Sequence, residues 1–229
     1  DHLAWAGILG EWFNRVIFRN FSCVFVPDAA GTPNLSGDLS HKGRIAEHPK
    51  VRYIGCLSSI VPAAEPPAED IDMLISISGP EPQRTRFQEK VMEQLDNIPG
   101  KGIVALGLPG SEKNIVRQTE RVTVYSHLNR REMSSVMQRA KHIVCRSGYS
   151  TVMELLALGK AAFFVPTPGQ TEQEYLAAYY QKEGLFNYCG QEALDLKRVP
   201  LLTSAPAEKL NIPVNDLDTI IKLLDSLCT

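Results

Sequence analysis

Arg146-Ser147-Gly148-Tyr149-Ser150-Thr151 is the densest run of phosphate-binding chemistry in the sequence. An apolar strand-like run at 142–145 precedes it and a helical pattern follows. A helix mouth presents unpaired N–H groups and the positive end of the helix dipole. Gly148 lets a ligand approach the backbone, and the hydroxyls of Ser147, Ser150 and Thr151 add donors. Together these suit a phosphate or pyrophosphate. A plain strand-to-helix turn capped by Thr151 fits the same residues. Glu154 has two readings as well. It lies three residues after Thr151, the spacing of a capping box. It also lies one helical turn from Ser150, from where its carboxylate could accept hydrogen bonds from a ribose diol.

A second loop, residues 166–175, also runs from an apolar strand into a helix. Pro166, Pro168 and Gly169 stiffen it. Gln173 and Glu174 bring the amide and carboxylate groups that read sugar hydroxyls, while Thr171-x-x-Glu174 is again capping-box spacing. A third, Ser126-His127-Leu128-Asn129, offers backbone groups to a base edge, or is a plain connection capped by Asn129. In a fourth, residues 78–85, Arg84 could clamp a phosphate. That loop has one glycine where a dinucleotide fingerprint needs three, so a nicotinamide or flavin cofactor is unsupported. The sequence has no H-E-x-x-H, no Cys/His metal spacing and no G-x-x-x-x-G-K-[ST], which leaves no expected cofactor or metal.

Such loops need a frame. Apolar runs near 73–78, 102–106, 122–125, 142–145, 161–165 and 185–189 alternate with helical patterns. Phe87, Val91 and Leu95 mark one helix, and Asn129-x-x-Glu132 caps the next. Helices also open at Thr151 and Thr171, and Leu217, Ile220, Ile221 and Leu224 mark a terminal one. Apolar strands alternating with helices predict an α/β fold with a doubly wound parallel sheet. Ahead of it lie a helical pattern over 3–19, a short strand at 23–26, a polar loop over 29–50 and a strand at 51–55. The proline-rich stretch 61–67 reads as a linker. The expected division is 1–61, the last part of a preceding α/β domain, and 62–229, a ligand-binding domain.

The chain has 229 residues, 44% hydrophobic and 22% charged, enough for buried cores and too ordinary for disorder. Twenty-four Lys and Arg against 26 Asp and Glu argue against nucleic-acid binding, which demands clustered positive charge. No apolar run is long enough to span a bilayer. Five scattered cysteines without a C-x-x-C fit a reduced, cytoplasmic protein. The start at Asp1 reads as a piece of something longer.

In order, these loops resemble the donor-binding half of two-domain nucleotide-sugar glycosyltransferases of family 28. The resemblance is carried by residues 144–155, then Gly159-Lys160, then Phe164-Val165-Pro166-Thr167-Pro168-Gly169 and Glu172-Gln173-Glu174-Tyr175. It is specific over about 60 residues, from near Tyr125 to Gly184, the scale of two strand-helix units. It implies two facing Rossmann-like domains, a UDP-sugar donor (UDP-N-acetylhexosamine first among them) and an acceptor of unknown kind. Leu128, with His127 beside it, would contact uracil. Ser147, Gly148, Ser150 and Thr151 would hold the diphosphate, Glu154 the ribose, and Gln173 and Glu174 the sugar. The family often has two glutamines at that last pair. Its Gly-Gly-Ser turn is here Ser78-Gly79-Pro80, so Arg84 is outside what the resemblance implies. The general base belongs to the family's N-terminal half, so no catalytic residue is expected here and the piece alone is expected to be inactive. Through that half, a peripheral membrane association at the inner face is implied. A UDP-sugar epimerase or hydrolase on the same fold, or a non-catalytic nucleotide-sugar-binding subunit, are the competing readings.

Overall fold

A computed structural model describes residues 20–43, 46–108, 110, 112–202, 212–215 and 217–227. The helical pattern over 3–19 lies outside them. The chain divides into two compact units, Asp1–Ser59 with Leu210–Thr229, and Ile60–Lys209.

The first unit holds β1 (Val24–Val26), the single turn α1 (Asp38–His41), β2 (Val51–Tyr53) and β3 (Cys56–Leu57). β1 and β2 pair in parallel. Asp28, just past β1, is wholly buried and organises the loop read from sequence as irregular. Its carboxylate accepts from the amides of Ala29, Leu35 and Ser36 at 2.7–2.9 Å, and from the Ser36 hydroxyl. Those bonds fold the polar stretch back on itself and close α1.

The second unit carries β4 (Ile71–Ser76), α2 (Gln83–Met92), β5 (Gly102–Ala105), β6 (Ile115–Gln118) and β7 (Val122–Tyr125). It continues with α3 (Arg130–Arg139), β8 (Ala140–Cys145), α4 (Tyr149–Ala157), β9 (Ala162–Phe164), α5 (Thr171–Lys182), β10 (Asn187–Tyr188) and the short α6 (Val199–Leu202). Seven strands form one sheet in the order β10-β9-β8-β4-β5-β7-β6, parallel except for β6 against β7. The chain winds outward from β4 to β5 and β7, returns to the other side of β4 with β8, and winds outward again. That is a doubly wound, Rossmann-like sheet, and its order reverses between β4 and β8. Met73, Ile75 and Ile77 pack with Phe87 and Val91 of α2, and with Val104, Val124, Val144 and Phe163 of neighbouring strands. Leu74, equally buried, faces the other side of the sheet, as strand alternation requires.

The chain then returns to the first unit with β11 (Val214–Asn215) and α7 (Leu217–Leu227). β11 adds in parallel to β3, Val214 opposite Cys56 and Asn215 opposite Leu57. The Asn215 amide donates to the Ile54 carbonyl. These bonds place the C-terminal segment with residues 1–59 rather than with the domain drawn as 62–229. Two residues of strand carry too little pattern to be seen in sequence. β6 went unseen as well: all four of its residues are exposed, so no burial patterns it. Among the described residues, no helix is long and apolar enough to cross a membrane.

Candidate functional site

In an open α/β sheet, ligands bind beyond the carboxyl ends of the strands where the strand order reverses. Here that crevice lies between β4 and β8. Its walls are the loop from β4 into α2 and the turn Arg146-Ser147-Gly148 from β8 into α4. The β9–α5 loop adjoins them.

α4 starts three residues earlier than the Thr151 cap predicts. Its N-cap is Gly148, in extended conformation, and no side chain caps it. Ser150 and Thr151 therefore sit in the first turn, and the capping box of Thr151 with Glu154 is not formed. Among the described residues beyond its chain neighbours and the helix backbone, a Cβ on Gly148 would meet nothing nearer than Thr151 Oγ, 3.9 Å away. Nothing in the fold's own packing demands glycine there. The missing side chain leaves the helix mouth open.

Glu154 is half-buried, one turn further along. Its charge reaches Cys145 at the end of β8. Burial first, and Glu154 second, push that thiol up to about 12. The carboxylate thus lies within electrostatic reach of the carboxyl end of β8. Ser147 behaves differently. It is wholly buried, and its hydroxyl donates to the Gln173 carbonyl at 2.8 Å, tying the mouth of α4 to α5.

α5 shows the same correction. Its N-cap is Gln170, with no side-chain cap. Glu174 does not box with Thr171; it accepts from the Gly169 amide at 2.9 Å. Gln173 is buried and accepts from the Thr167 amide at 2.9 Å. Both side chains brace their own loop. Thr167 is also buried, and its hydroxyl has no hydrogen-bond partner among the described residues.

The remaining candidates divide. At the end of β7, the Ser126 hydroxyl lies 3.3 Å from His127 Nδ1, and Leu128 is half-buried. Asn129 and Glu132 form the full capping box of α3. Arg84 is committed to its neighbours. Nε donates to Glu81 at 2.6 Å, one terminal nitrogen to Gln88 and the Leu106 carbonyl, the other to Thr85, and the guanidinium also forms an ion pair with Glu81. Four hydrogen bonds and this ion pair commit the guanidinium to its own loop and helix.

The most organised residue of the crevice was quoted within its motif but given no role from sequence. Arg146 is 2% exposed. It donates to the carbonyls of Ser78 (3.2 Å), Gln83 (3.2 Å), Val165 (2.9 Å) and Pro166 (3.1 Å), and to Gln191 Oε1 at 2.8 Å. Its guanidinium carbon lies 4.3 Å from the centre of the Phe87 ring. One side chain thus pins the β4–α2 and β9–α5 loops to the end of β8. Burial alone pulls its pKa down to about 10, so it stays charged at neutral pH. A cation directly after the apolar run Ile143-Val144-Cys145 was the available signal. Among the described residues, no group of His, Cys, Asp and Glu could hold a metal ion.

Comparison with known proteins falls on this same unit. The model of the glycosyltransferase family 28 C-terminal domain matches residues 88–203. Two curated relatives are both named as UDP-N-acetylglucosamine–N-acetylmuramyl-(pentapeptide) pyrophosphoryl-undecaprenol N-acetylglucosamine transferase. The one from Caldanaerobacter subterraneus is 29% identical over 90 residues, 38% of this chain and 24% of that protein. The one from Histophilus somni is 40% identical over 70 residues, 30% of this chain and 20% of that protein. The match therefore spans a quarter or less of either relative. Among solved structures, the calicheamicin glycosyltransferase CalG4 has a TM-score of 0.54 at 16% identity, covering 91% of this chain and 51% of that one. The glycosyltransferase of kitacinnamycin has 0.51 at 15%, covering 73% and 44%. These two likenesses bear on the fold.

Proposed function

The chain belongs to glycosyltransferase family 28, and from that premise we propose that it binds the donor of a sugar transfer, a UDP-sugar with N-acetylhexosamine as the sugar. The carrying observation is the mouth of α4, a helix with no side-chain cap over an open glycine, at the point where the strand order reverses. The names of the curated relatives support UDP-N-acetylglucosamine as the donor.

In this reading the first amides of α4, with Ser150 and Thr151, hold the diphosphate. Glu154 accepts from the two ribose hydroxyls, which offsets its repulsion from the phosphates. The backbone at Leu128, beside His127, meets the base. Gln173 and Glu174 lie at the sugar end; each has hydrogen-bonding atoms beyond the one that braces its loop. As the glycosidic bond breaks, negative charge grows on the departing UDP. Fixed amide dipoles and the helix dipole stabilise that charge with little reorganisation. The acceptor hydroxyl must lose its proton to a base, and no residue of this chain is assigned that task.

Titration calorimetry with UDP, GDP and TDP tests the reading. UDP is expected to bind tightest, and UDP-N-acetylglucosamine at least as tightly as UDP. A folded chain that takes up none of the three at millimolar concentration overturns the donor site. Preference for GDP or TDP overturns the choice of base.

A further inference from the structure

Arg146 is a buried positive charge that no described carboxylate balances. Arg146 forms no ion pair among the described residues: its partners are four carbonyls, one amide oxygen and the face of Phe87. Dipoles orient a guanidinium but do not cancel its charge, and burying an unpaired cation is costly. Two residues on in sequence is Gly148, the open N-cap of α4. A second group nearby is also incomplete. Thr167 is 2% exposed and its hydroxyl is unpartnered. It directly follows Val165 and Pro166, whose carbonyls Arg146 holds. The free face of Gly79, whose φ of +112° favours glycine, looks onto both. A Cβ there would lie 3.3 Å from Thr167 Oγ and 3.9 Å from Arg146 Nε. The buried cation and the unused hydroxyl both face Gly79, the uncapped helix mouth follows Arg146 by two residues, and a bound anion would answer all three.

We propose that Arg146 is the positioning residue of the donor site: it fixes three loop segments around the mouth of α4, and its uncompensated charge makes that mouth select phosphate-bearing nucleotides over the bare nucleoside. The inference rests on the donor-site reading above. Arg146 need not touch the diphosphate, since a charge buried in protein acts over several ångströms with little screening.

Gln191 supplies the test. Its Oε1 receives one of the Arg146 bonds at 2.8 Å, and Gln191 is itself buried. Gln191→Glu puts a carboxylate on the guanidinium with almost no change of shape. If the unbalanced charge serves binding, this variant melts higher than the parent yet loses preference for UDP over uridine by at least fivefold, both ligands measured by calorimetry on the full chain. Gln191→Leu, which removes the acceptor without adding charge, moves UDP and uridine alike. A Gln191→Glu protein that keeps the parent's UDP-to-uridine ratio overturns the proposal, as does Gln191→Leu losing that ratio equally. Should Gln191→Glu not fold, Arg146→Met is read by the same ratio, with loss expected and retention fatal. A parent chain that binds neither ligand is a different failure, that of the donor site itself.

Discussion

At the level of single residues, the crevice separates side chains that hold the protein together from those available to a ligand. Ser147 is of the first kind, because its buried hydroxyl closes onto the Gln173 carbonyl. Ser147→Ala strands that carbonyl and should cost about 1 kcal/mol of stability. Urea denaturation measures it, and an unchanged midpoint would mean the bond contributes nothing. Glu154 belongs to the proposed donor site. Glu154→Ala should weaken UDP binding about 5- to 150-fold, the equivalent of 1–3 kcal/mol for ribose hydroxyls left without their acceptor. Its removal also takes away the charge that helps hold Cys145 protonated, so the thiol's pKa should fall from about 12, though burial, the larger cause, keeps it high. Calorimetry reads the affinity. Equal UDP binding by parent and variant would remove Glu154 from the site.

Among the elements, caps decide where loops end and sites begin. The Asn129–Glu132 box on α3 is complete, and Asn129→Ala should destabilise the unit by about 0.5–2 kcal/mol. A thermal melt unchanged by the substitution would show the helix held by packing alone. That box was legible in sequence because Asn129 directly precedes the amphipathic run it caps. The boxes at Thr151 and Thr171 had the same spacing and did not form. At Gly148 and Gln170 the chain turns helical before the threonine, so each hydroxyl falls inside the first turn. Spacing alone cannot tell the two cases apart, since it does not report the backbone dihedral of the residue ahead. The parallel sheet was legible because its strands are buried on both faces and read as apolar runs. β6, β3 and β11 were not, being exposed or two residues long. The clasp around Arg146 joins residues 78, 83, 165, 166 and 191, separations over which no local pattern operates.

Over the whole of the second unit, the two ends of the sheet carry opposite electrostatic designs. At the carboxyl end the buried charge of Arg146 has no described carboxylate partner, and we propose that it serves a ligand; at the amino end surface charge is paired. Asp70 bridges Arg139 and Lys101, and Asp72 pairs with Lys141 while accepting from the Lys101 amide. Hydrogen bonds from Arg139 and then Lys101 hold the Asp70 carboxyl well below its ordinary range, and those from Lys141 and then Lys101 lower Asp72. A carboxyl whose folded pKa is depressed contributes stability that is fully present above its unfolded value, about 3.9, and is lost as pH falls from there toward the folded value. The unit should therefore weaken below about pH 4, and Asp70→Asn should make that acid loss shallower. Because these groups are exposed, salt screens them, so the difference between parent and variant should shrink at 1 M salt. An acid profile identical in the two proteins at low salt would show that the bridge is idle. In the proposed reading the carboxyl end answers to ligand instead of pH. UDP that binds only the folded unit must stabilise it by simple linkage, by about 2.7 kcal/mol at a hundred times its dissociation constant, and so raise its melting temperature. Against calorimetric affinity this leaves no free parameter: a shift far smaller than the measured constant demands would mean that the unfolded chain binds UDP as well, and that the open mouth of α4 is not what the nucleotide recognises.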